Sequence, residues 1–116
     1  AVAIGYNAGN YTQRINAVAI GSGAGQTNQG GSGVAVGLNS GQLNQGQDAV
    51  AVGNSAGKNG QFTACVAIGV NAGLPTQIGT YAIAIGNLES FNEVQNRLEY
   101  IYNFYVNLTK KSNQEI

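Results

Sequence analysis

Histidine, methionine and tryptophan are absent from these 116 residues, cysteine occurs once, and charged residues make up only 9%. With no histidine and Cys65 alone, the chain cannot assemble a Cys/His zinc set, an internal disulfide or any histidine-dependent catalytic arrangement. The single thiol takes a place held by Ala or Gly in equivalent stretches, which marks it as a small buried filler. Charge is scarce against the roughly 25% of an ordinary soluble domain, and five acidic residues balance five basic ones. Up to Gly86 the only charged residues are Arg14, Asp48 and Lys58. That leaves no basic field for phosphates or anionic lipid, so nucleic acid is excluded as a partner. A polysaccharide-cleaving β-helix needs paired carboxylates, and Asp48 stands alone, so no enzymatic activity and no cofactor are expected. No apolar run reaches the roughly 18 residues needed to span a membrane, and no signal peptide is visible. A chain that opens inside a repeat and lacks methionine reads as a piece of a longer protein.

What is present is repetition. The pentad Ala1-Val2-Ala3-Ile4-Gly5 returns unchanged at residue 17 and in variant form at residues 33, 49, 65 and 82, at intervals of 16, 16, 16, 16 and 17. A fixed period of this size marks a solenoid, in which each repeat is one coil that buries its apolar face only against a neighbour. Within the pentad, β-branched residues alternate with Ala, as in Val18-Ala19-Ile20 and Val50-Ala51-Val52. Alternation with period two predicts a short strand, and a strand apolar on both faces must be covered on both.

The pattern predicts that Val and Ile fill the coil interior. The small row Ala3, Ala19, Ala35, Ala51, Ala67 and Ala84 would then admit a second backbone and form a self-association surface. The reverse assignment, with Ala inside and Val and Ile between subunits, stays open at this point. Gly5, Asn7 and Gly9, repeated at the same spacing, predict a tight corner, because Gly and Asn take positive φ cheaply. Gly53 to Asn59 resembles a phosphate loop only loosely, being one residue short and lacking its Ser or Thr. Gln13, Gln29, Gln45, Gln61 and Gln77 keep the same step and predict a stack of amides bonding to one another or to corner carbonyls. Variable positions between these rows, among them Tyr6, Tyr11, Arg14, Lys58 and Phe62, are the candidate partner-binding residues.

At Asn87 the period changes, dividing the chain into a repeat domain over 1–86 and a segment over 87–116. Ser90 and Glu93 fit a helix-capping box. Phe91, Val94, Leu98, Ile101, Tyr105 and Leu108 then fall at alternating intervals of 3 and 4. That is a heptad seam, suited to a coiled coil; the competing reading is a single amphipathic helix folded back as a cap.

Serial Val-Ala-Ile-Gly repeats, as at Val18 to Gly21, followed directly by heptads resemble the head of YadA-like trimeric autotransporter adhesins. Similar repeats occur in phage and large-virus fibre proteins. The period of 16, against nearer 14 in that family, the added Gln row and the lack of a clear neck motif are departures. The resemblance implies an all-β solenoid: a left-handed parallel β-roll of about six coils, followed by a C-terminal α-helix in a coiled coil, assembled as a homotrimer. It implies an extracellular place, on a bacterial cell or virion surface, and attachment to a host surface receptor or matrix protein. The Ala row and the heptad residues would then form the trimer interface. A structural spike or spacer that touches only sister chains is the alternative.

Overall fold

The computed structural model describes residues 1–74, 79–87, 103 and 105–108. Each pentad forms a three-residue strand: β1 (Val2–Ile4), β3 (Val18–Ile20), β5 (Val34–Val36), β6 (Val50–Val52), β7 (Val66–Ile68) and β8 (Ile83–Ile85). Two further strands, β2 (Tyr11–Gln13) and β4 (Thr27–Gln29), lie between them in the chain. The pentad strands make one sheet of order β1-β3-β5-β6-β7-β8, all parallel. Register follows the repeat, so Ala3 pairs with Ala19, Ala19 with Ala35, and Ala67 with Ala84 across the longer step. The chain is therefore an all-β parallel solenoid.

A second side closes the coils up to Gln61. There β2 pairs in parallel with β4, and the bridges Thr27 to Leu43 and Gln45 to Gln61 carry the ladder onward. This side lies in the stretch whose sequence varies, where alternation is too brief to announce a strand.

Three bends turn each coil. The first is the predicted corner: Asn7, Asn39, Ser55 and Asn71 have φ between 55° and 58°. The second and third were not predicted. Thr12, Asn28 and Asn44 take φ of 60°, 55° and 52°, and Asn16, Ser32, Asp48 and Ala64 take 56° to 60°. Gly21 shows why the corner needs glycine. Its φ is +123°, and a Cβ there would lie 2.6 Å from the carbonyl oxygen of Gly37 in the next coil.

The interior reverses the expected faces. Ala19, Ala35, Ala51 and Ala67 are fully buried within the single chain, at 0% exposure. They cannot also form a surface between chains, so the predicted Ala interface is corrected for these four. Ala3 and Ala84 belong to the same inward row at the terminal strands. Ala3 is exposed because β1 is an edge strand, and Ala84 is partly covered. The residues that point outward are the β-branched ones. Val2, Ile4, Ile20, Ile68, Ile83 and Ile85 are exposed, and Val18, Val34, Val36, Val50, Val52 and Val66 are half-buried. The narrow coil has room for methyl groups, for Ser40 and Cys65, and for one row of glutamines.

In the segment after the roll, residues 103 and 105–108 are helical, and Tyr105 and Leu108 are exposed. Phe91, Val94, Leu98 and Ile101 of the heptad seam, the Ser90/Glu93 cap and Gln77 lie outside the described residues.

Candidate interaction surfaces

The glutamine row holds the two sides of the roll together. Gln13, Gln29, Gln45 and Gln61 donate through Nε2 to the carbonyls of Val2, Val18, Val34 and Val50 at 2.6, 2.7, 2.7 and 3.0 Å. Each amide thus crosses from the second side to the pentad strand of its own coil. Gln29 and Gln45 donate again, to Gly33 O at 3.2 Å and Ala49 O at 3.3 Å. Of the expected stacking between amides, the link from Gln45 Nε2 to Gln61 Oε1 forms at 3.2 Å. Gln29 Oε1 and Gln45 Oε1 are buried without a donor. The row is used for its donors, which satisfy strand carbonyls that would otherwise face an apolar interior.

Glycine makes room for these crosspieces. Gly25 has φ +52°, and a Cβ on it would lie 2.7 Å from Gln29 Cδ. Gly57 stands in the same relation to Gln61, which assigns the Gly53 to Asn59 stretch to a coil corner and not to a phosphate cradle. Cys65 is buried as expected, its thiol donating to Gly79 O at 3.2 Å.

Two surfaces remain for contact with other molecules. The first is the outer face of the pentad sheet, where two parallel columns of Val and Ile run across six strands. Among the described residues nothing covers it beyond the columns' own packing. Sequence alternation contains this row, but β-branched side chains are so often core residues that alternation alone points them inward.

The second surface is the opposite side. Tyr11 lies in β2 and Arg14 just after it, both exposed; Tyr6 is exposed at the first corner. Phe62 is exposed and Lys58 half-buried three coils further on. At about 4.8 Å per step, Tyr11 and Arg14 do not meet Lys58 and Phe62, so the candidates form no single cluster. Phe62 instead joins Asn44, Asn59, Gly60 and Gln61 around a hollow of about 230 Å³. Of these, only Phe62 was singled out by sequence as a partner-binding residue.

Among the described residues no group of His, Cys, Asp and Glu could hold a metal, and no helix is long and apolar enough to cross a membrane. Comparison with protein-family models, curated proteins and solved structures returns no match.

Proposed function

We propose that the chain is a non-enzymatic, surface-exposed homotrimeric adhesin or fibre head, mediating attachment to a host surface receptor or matrix protein. The observation that carries this reading is the outer face of the pentad sheet. Six strands display two columns of Val and Ile to solvent, in a solenoid whose own core is already filled by Ala and Gln. A contiguous apolar patch of this kind marks an interaction site. Because every coil presents the same two residue types, sister rolls set side by side in register would cover one another's columns. In this reading the heptad residues Phe91, Val94, Leu98, Ile101, Tyr105 and Leu108 form a second association element of the same assembly. Repetition of any weak site on three chains gives avidity without a deep pocket. The place of such a module is extracellular, on a bacterial cell or a virion.

Light scattering of the purified chain tests the assembly. The expected mass is three times the 11.9 kDa of one chain, and the paired change Ile20→Asp with Ile68→Asp should release a folded monomer. A stable wild-type monomer would refute the trimer. The scatter of Tyr11, Arg14, Lys58 and Phe62 over distant coils favours a second reading, a structural spike or spacer element. Unchanged host attachment by a parent particle carrying Tyr11→Ala, Arg14→Ala and Phe62→Ala together would select it.

A further inference from the structure

The second side of the roll carries a side-chain column at Thr12, Asn28 and Asn44, which is interrupted at Gly60; the same repeat position after it is Thr76, outside the described residues. Asn28 Nδ2 donates to Asn44 Oδ1 at 3.0 Å, so the amides of this column bond from coil to coil. Gly60 offers no side chain to continue the series. Asn44 Nδ2 is left as an exposed donor with no acceptor among the described residues. The missing side chain coincides with the hollow lined by Asn44, Asn59, Gly60, Gln61 and Phe62. A second departure occurs in the same coil. The position held by Gly30 and Gly46 in the two preceding coils is Phe62, which is 51% exposed. The hollow therefore pairs a free amide donor with an aromatic face, and among the described residues no charged side chain lines it.

We infer that this hollow binds one neutral sugar ring, whose C–H face stacks on Phe62 and whose hydroxyl accepts from Asn44 Nδ2. The chemistry selects against the other small-ligand classes. A phosphate or carboxylate finds no cation among the described lining residues, and a hydrocarbon chain would cover Asn44 Nδ2 without pairing it. Neutral amides donate and accept, which suits hydroxyl groups that do both. The volume of about 230 Å³ lies below the roughly 300–1,000 Å³ of drug-sized sites, so one ring fits and further rings of a glycan would extend into solvent. The inference deepens the proposed attachment function, and rests on it only in taking the sugar from a host-surface glycan.

The test uses the isotope-labelled full chain titrated with methyl glycosides of glucose, galactose and N-acetylglucosamine, followed by amide NMR. Saturable shifts confined to the Asn44 side chain and the Asn59 to Phe62 backbone are expected with at least one glycoside. Phe62→Ala and Asn44→Ala should each weaken that binding about tenfold or more, an energy of roughly 1.4 kcal/mol by the relation between affinity and free energy. Tyr11→Ala should leave it unchanged. Phe62→Leu keeps most of the volume without the ring face and should behave as Phe62→Ala, which separates stacking from misfolding. Absence of shifts with all three glycosides, equal binding by Phe62→Leu, or an equal response to adenosine would overturn the sugar site. Light scattering of the same samples keeps the two readings apart: a trimer without glycoside shifts refutes the sugar site alone, and a monomer with Phe62-dependent shifts refutes the trimer alone.

Discussion

Gln45 is the residue through which the interior is most easily tested. Its amide donates to Val34 O at 2.7 Å, to Ala49 O at 3.3 Å and to Gln61 Oε1 at 3.2 Å from a nearly fully buried position. Gln45→Ala removes these bonds and opens a cavity, and should cost about 2–4 kcal/mol in urea unfolding. Gln13→Ala makes the same truncation in the edge coil, where the crosspiece is partly exposed, and should cost roughly 1 kcal/mol or less. Equal losses at both positions would argue against the crosspiece role. Backbone strain gives a prediction of opposite sign. Ala64 sits at φ 58° where the neighbouring coil has Asp48, and it has no polar side chain to favour that conformation. Ala64→Gly relieves the Cβ and should raise stability by about 0.5–1 kcal/mol, read as a higher midpoint of thermal unfolding.

At the scale of the strand, the two faces of one pentad should respond in opposite ways to the same kind of change. Ala51 is fully buried between Ala35 and Ala67 in register, with Ala56 and Ala72 in the same cluster. Ala51→Val adds two methyl groups to a filled space and should destabilise the roll by about 1–3 kcal/mol. Val50→Thr, one residue away on the outward face, should leave coil stability within about 1 kcal/mol while weakening chain association. Circular dichroism melts beside light scattering separate the two readouts. If Ala51→Val melts like wild type and Val50→Thr unfolds, the face assignment is wrong.

The strand was legible in the sequence as period-two alternation, and its register was legible as the fixed spacing of the pentads. Which face turned inward was not, because Ala and Val are both apolar and period alone has no sign. The glutamines contained the missing information. A polar row kept strictly in step is compatible with a surface ladder or with an interior bridge, and only the closure of the coil put Gln29 Nε2 within 2.7 Å of Val18 O. Once the amides are inside, the cross-section is too narrow for a second row of β-branched side chains. The second and third bends were visible only as Thr12, Asn28, Asn44 and Asn16, Ser32, Asp48, residues common in any loop.

For the whole molecule, stability is a sum over coils and the contacts between adjacent ones, since each pentad strand pairs only with the strands before and after it. Deleting residues 33–48, one full period, should leave a shorter folded roll with a modestly lowered melting temperature. Deleting 33–40 would place a corner against a strand and should abolish the cooperative melt. An unchanged response to both deletions would refute the solenoid's nearest-neighbour logic. The same additive construction explains why the chain needs so little charge and no disulfide: stacked backbone ladders and close Ala packing stabilise it, and neither calls on ionised groups.

By itself the sequence determined the period, the parallel register, the first corner and the neutral, charge-poor composition, because these depend on residue identity at fixed spacing. Tertiary structure decided what spacing cannot: that Ala and Gln fill the coil, that Val and Ile face outward, and that Gly60 and Phe62 open a hollow beside Asn44. The physical reason is the same in each case. Burial is a property of the closed coil, set by how much side-chain volume two facing backbones leave between them.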